Sequence, residues 1–137
     1  MNKGPQLSEI EQQQWVRKQY QAATKFLAQR GLMTESFSEA DSRYLIPLVS
    51  VWKINLNDKS SVWTIAGDLP TDFADFSVAT NAREAIRHFS FKWQMQAENL
   101  LKEENEQHHD FANLLIGKAE GLYDLFDKDE IWQVKAS

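Results

Sequence analysis

The spacing of apolar positions changes along the chain, and each change predicts a different kind of element. Val16, Tyr20, Ala23, Phe26 and Leu27 recur at intervals of three and four, the period of one helical face, while Glu9, Glu11, Gln13, Gln14, Lys18, Gln21 and Lys25 mostly fall elsewhere. The pattern predicts a helix over 8–30 that packs by a single stripe. Ser8 followed by Glu11 has the spacing of a capping box, and Gly31 stands where a left-handed residue would close the helix. Residues 33–43 are polar and leave Phe37 to be buried, which reads as a connecting loop or a short helical turn. The period then shortens. Pro47 precedes the run LVSVWKINL, rich in branched and aromatic residues, Asn57 to Ser60 supply turn chemistry, and SVWTIAG resumes the strand pattern. These segments predict an antiparallel hairpin pairing 48–56 with 62–67.

Gly67 ends the hairpin, and an acidic loop carrying Asp68, Asp72 and Asp75 around Pro70 leads to the strongest helical signal of the chain. Asn81 and Glu84 repeat the capping spacing, and Ala82, Ile86, Phe89, Trp93, Ala97 and Leu100 lie within roughly a third of the helical circumference. The back of this helix is less polar than a solvent face should be, because Phe91 and Met95 stand one turn apart beside His88. Such a helix either lies between two layers or offers its back to a second subunit. The stripe resumes at Phe111, Leu114, Leu115, Leu122, Leu125 and Phe126, with Lys118 interrupting it. One unbroken helix over 82–126 would be about 65 Å long, too long for a compact domain of this size. A turn is therefore expected near 105–109. The alternative is a continuous helix forming a dimer seam, with Glu104 and Gln107 as polar interruptions. Gly117 and Gly121, four apart, would let another helix approach closely. IWQVK at 131–135 alternates well enough to be a third strand.

The expected fold is α+β: a small antiparallel sheet, the hairpin plus a third C-terminal strand, packed against three helices in one domain over 1–137, with 1–7 a polar tail.

Composition narrows what such a domain does. Fifteen basic against twenty acidic side chains leave a net charge of -5, which opposes the attraction to phosphate backbones that nonspecific nucleic-acid binding needs. Nucleic acid is not an expected partner. The absence of cysteine removes thiol nucleophiles, thiolate metal sites and disulfides, and fits a reducing cytosol. No window approaches the roughly 20 apolar residues of a membrane span, so the chain reads as soluble and cytoplasmic, with no membrane partner. Five Trp, eight Phe and three Tyr make it rich in large aromatics, which build cores and sometimes interfaces.

Two segments, VWTIAGDLP at 62–70 and AREAIRHFSFKWQMQAENL at 82–100, resemble the core of a family of small uncharacterised bacterial proteins grouped as a domain of unknown function. The resemblance implies a bacterial, cytosolic, single-domain protein. It brings no catalytic residue and no cofactor.

Candidate chemistry centres on the acidic loop and the helix after it. Arg83 and Arg87 sit in the first two turns, where the helix dipole already favours negative charge, so they call for anionic partners. Asp68, Asp72 and Asp75 are the nearest in sequence, and pairs tying loop to helix are the simplest reading. The functional alternative has Arg83, Arg87 and the helix N-terminus holding a carboxylate or phosphate. The spacing of the aspartates matches no metal-binding loop, and the adjacent His108 and His109 would point about 100° apart on a helix, so no metal is expected. Neither a nucleophile elbow nor a glycine-rich phosphate loop is present. The expected function is a noncatalytic interaction or regulatory protein that self-associates, with His88, Phe91 and Met95 at the interface, or binds a protein partner. The alternative is a small-molecule or anion-binding protein or enzyme using Asp68, Asp72, Arg83 and Arg87.

Overall fold

Most of the polar segment at 33–43, which the hydropathy pattern leaves as a loop or short helical turn, belongs to the first edge strand of the sheet. The computed structural model describes residues 7–133, and its elements run α1 (Glu9–Ala28), β1 (Thr34–Leu45), β2 (Val49–Leu56), β3 (Ser61–Gly67), β4 (Leu69–Asp75), α2 (Ala82–Leu101) and α3 (Glu106–Phe126). Short 3-10 turns follow β4 and α3. The polar tail expected over 1–7 lies, except for Leu7, outside the described residues. The chain divides into two compact units between Ser77 and Val78.

In the first unit the four strands form an antiparallel meander in the order β1-β2-β3-β4. The expected hairpin is present as β2 and β3, with Trp52 opposite Thr64 and Ile54 opposite Val62. The fold class is α+β as expected, but the sheet has four strands, and the expected loops 33–43 and 68–75 contribute its edges. Each edge has a physical reason for its disguise. An edge strand needs no second apolar face and carries charge that blocks further pairing, so β1 reads as TESFSEADSRYL. Pro70 is tolerated in β4 because an edge strand need not donate from every residue. The third strand expected at 131–135 is not formed where the chain is described. Ile131 ends a 3-10 turn, Trp132 and Gln133 are not in a strand, and Val134 and Lys135 lie outside the described residues.

Helix α1 lies on one face of the sheet, and its stripe behaves as its spacing predicts. Ala23 and Leu27 are fully buried in a cluster with Trp52, Ile54, Leu56 and Val62, and Val16, Tyr20, Phe26, Phe37, Tyr44 and Phe73 pack around it. Both halves of the Ser8/Glu11 capping box are made. Gly31 adopts φ +79, and the Leu32 N–H donates to the Leu27 carbonyl at 2.9 Å, so the helix closes as expected.

In the second unit α2 and α3 pack on each other. The break between them spans Lys102 to Asn105, slightly earlier than the hydropathy pattern places it, because the Asn105 side chain accepts from the Gln107 and His108 N–H groups and caps α3. The buried face of α2 is the predicted one from Ala82 to Ala97, extended by Ala85 and Ser90, while Leu100 is only half-buried. That of α3 is Ala112, Leu115, Ala119 and Leu122, while Phe111 and Leu114 are exposed. Ala82, Ala85, Ala97, Ala112 and Ala119 alternate with the fully buried Ile86, Phe89, Trp93, Leu115 and Leu122 on these faces. The Ser90 hydroxyl donates to the Ala119 carbonyl at 2.8 Å across the seam. Gly117 and Gly121 do not serve close approach, since a Cβ at either would meet nothing within 4 Å.

Candidate functional site

The residues singled out by sequence have local partners in each unit. Asp75 accepts from the Ser77 hydroxyl and from its N–H, and these bonds, the hydroxyl's first, lower its pKa below the usual carboxylate value. Asp72 accepts from the Phe73 N–H at 2.8 Å, and the Asp68 N–H donates to the Leu48 carbonyl at 2.9 Å. In the second unit Arg83 donates through Nε to the Phe126 carbonyl at 2.8 Å and through a terminal nitrogen to Asp129 at 2.7 Å. It ties the start of α2 to the end of α3. Arg87 pairs with Glu84 at 3.6 Å and lies over the Phe91 ring at 5.0 Å. The anionic partners that the two arginines call for are thus found on their own helices and the turn after α3. Such exposed pairs contribute about 0–1 kcal/mol each. Among the described residues no three acids or histidines gather closely enough to hold a metal ion.

Of the expected interface residues, Phe91 and Met95 are exposed at 42% and 65%, and His88 is half-buried with its ring edge-on to Phe89. Phe91 stacks on Tyr123 at 6.2 Å, and Tyr123 in turn meets Phe126 at 5.6 Å. An aromatic row therefore crosses from α2 to α3 on the outside of the hairpin.

A second feature, in the first unit, is a cleft of about 480 Å³ between the N-terminal half of α1 and the sheet. Ala23, in the C-terminal half of α1, is fully buried against the sheet, and one turn earlier Tyr20 meets Trp52 with their rings 5.0 Å apart. Tyr20, Phe37, Tyr44 and Trp52 line the cleft with Val16 and Ile46, and Glu9, Gln12, Gln13 and Arg17 also border it.

Strand β1 positions two of these rings by an irregularity. Its register to β2 passes from Ser38 opposite Lys53 to Arg43 opposite Val51, so residues 39–42 bulge out facing Trp52. Phe37 and Tyr44, on either side of the bulge, come to 5.1 and 4.8 Å from the Trp52 ring. A bulge of this kind re-aims side chains, and this one carries its own fastening. The buried Ser42 hydroxyl donates to the Ser38 carbonyl at 2.7 Å and accepts from the Lys53 N–H at 3.1 Å. Trp52 itself is fixed by a 2.8 Å bond from Nε1 to the buried Ser50 hydroxyl, which donates onward to the Ala66 carbonyl at 2.8 Å.

Burial raises the pKa of Tyr20 and Tyr44 above the ordinary tyrosine value, and Glu39 adds to the effect at Tyr44. Neither hydroxyl has a hydrogen-bond partner among the described residues. The sequence hides this cleft because each ring reads separately as part of a core stripe, a loop or a strand. The available signal was the excess of aromatics over what a small sheet needs.

Fold and site define an α+β protein with an aromatic cleft on the sheet of its first unit and an aromatic row on the helical hairpin of its second. The chain belongs to the family described as "Domain of unknown function (DUF4826)", which matches residues 9–132. Neither the curated proteins nor the solved structures contain a match to it. No helix among the described residues is long and apolar enough to cross a membrane.

Proposed function

We propose that this chain is a noncatalytic cytosolic interaction protein that self-associates through the outside of its α2–α3 hairpin. The observation that supports the reading is the aromatic row of Phe91, Tyr123 and Phe126 with Met95 one turn beyond Phe91. Single exposed apolar residues are normal, but a contiguous set on one surface points to an interface. Methionine and stacked aromatics are also the residue types enriched at interface cores. Arg87 covers one edge of the Phe91 ring and supplies the polar rim such a patch needs.

Sedimentation equilibrium tests the proposal. A dimer is expected, and Phe91→Lys and Met95→Lys, each at an exposed position, should convert it to monomer without changing the circular dichroism spectrum. A wild-type monomer at several hundred micromolar defeats the reading.

A further inference from the structure

We infer that the cleft between α1 and the bulged edge of the sheet is a binding site for a small planar aromatic monocarboxylate. The inference stands apart from self-association, since every residue it uses belongs to the first unit.

The volume comes first. At about 480 Å³ the cleft falls within the range of roughly 300–1,000 Å³ typical of small-molecule sites, and it has the usual composition of apolar walls with a few polar groups. Its walls favour a flat ligand. Tyr20, Phe37 and Tyr44 all lean on the Trp52 ring at centroid distances of 4.8 to 5.1 Å, and an aromatic body offers them the offset and edge-on contacts that add to simple burial. The Ser50 bond fixes the Trp52 ring, and the Ser42 bond closes the bulge that Phe37 and Tyr44 flank. A site whose walls are already fixed loses less entropy on binding.

The polar groups select the ligand's charge. Arg17 borders the cleft and has no partner among the described residues, whereas Arg30, Arg43, Arg83 and Arg87 each have a carbonyl or carboxylate in reach. A guanidinium presents a planar fork that fits a carboxylate in two parallel bonds. The Tyr20 hydroxyl is a neutral donor with no partner among the described residues, so it too can serve an acceptor oxygen, whereas Tyr44 lies in the field of Glu39 and is the poorer donor to a carboxylate. Glu9 lies eight residues before Arg17 on α1, about 12 Å away along the axis at 1.5 Å per residue. It is too distant to neutralise Arg17 and places negative charge at the other end of the cleft. A second carboxylate there would be repelled, which favours a monocarboxylate over a diacid.

Titration with 2-naphthoate and its neutral analogue 2-naphthamide, followed by tryptophan fluorescence and thermal shift, tests the inference. The wild-type chain should bind 2-naphthoate and raise its Tm, with 2-naphthamide at least tenfold weaker. Arg17→Gln, at an exposed position, should remove that preference while leaving the unliganded Tm unchanged. Val16→Phe should fill the cleft and abolish binding of both. If neither probe binds the wild-type chain, if both bind equally, or if Arg17→Gln leaves naphthoate affinity intact, the inference fails. Undiminished binding to folded Val16→Phe, judged by its circular dichroism spectrum, overturns it as well.

Discussion

The backbone N–H of Lys53 donates to the hydroxyl of Ser42 at 3.1 Å, so a side chain stands where the ladder between β1 and β2 has lost a backbone acceptor. The same hydroxyl donates to the Ser38 carbonyl at 2.7 Å, and Ser42 is 4% exposed. One small residue thus closes both ends of the bulge. Ser42→Ala should leave a part-buried N–H and a part-buried carbonyl short of partners and cost about 1 kcal/mol. The expected outcome is a lower urea midpoint with an unchanged slope. Because Phe37 and Tyr44 flank the bulge, near-ultraviolet circular dichroism should also lose aromatic intensity. An unchanged midpoint would show that the bulge holds without this hydroxyl.

How much of this was legible in the sequence follows from where each signal resides. Helix α1, the β2–β3 hairpin and the apolar stripe of α2 are set by periodic burial and by local caps, and Ser8, Glu11, Gly31 and Asn81 act within a few residues of themselves. Strands β1 and β4 escape that logic. As sheet edges they answer to their neighbours rather than to their own hydropathy, and the bulge at 39–42 breaks the alternation of β1 further. The candidate site was less legible still. Arg83 finds its carboxylate at Asp129, far along the chain on the turn after α3, where no local spacing could point. The cleft joins Tyr20, Phe37, Tyr44 and Trp52 from three elements, and only the tertiary fold makes them one surface.

At the turn between β3 and β4 the backbone of Gly67 runs against the start of β2. Gly67 has φ +152, and a Cβ placed on it would come within 2.4 Å of the Leu48 carbonyl oxygen and 2.8 Å of the Val49 Cα. Both obstacles are backbone, so no rotamer change relieves them. Gly67→Ala should therefore cost well above the roughly 0.5–3 kcal/mol of an ordinary substitution. The expected reading is a large drop in thermal midpoint or loss of soluble protein. A variant as stable as the wild type would mean that β2 can shift aside here.

The opposite outcome is expected at Gly117 and Gly121. Both are interior to α3, both are exposed, and a methyl group at either meets nothing within 4 Å. Replacing glycine by alanine in an exposed helix interior gains about 0.5–1 kcal/mol by restricting the unfolded chain. Gly117→Ala and Gly121→Ala should each raise Tm by a few degrees, and because they stand on successive turns without a shared partner the gains should add. A loss at either would point to a surface of α3 that needs a bare backbone, and so to a partner.

The tyrosines of the cleft predict how stability responds to alkali. Burial raises the folded-state pKa of Tyr20, and burial together with Glu39 raises that of Tyr44. The folded state then holds protons that the unfolded state releases. Their contribution to stability is complete below the unfolded tyrosine pKa of about 10 and is lost as the pH climbs through the raised folded values. Absorbance at 295 nm should accordingly show part of the tyrosine signal titrating above the ordinary value, and Tyr20→Phe and Tyr44→Phe should each remove a share of that late component. Saturating 2-naphthoate should delay it further, since a bound carboxylate beside the hydroxyls opposes their ionisation. A single titration at the ordinary value, insensitive to both substitutions, would mean that water reaches the two rings freely.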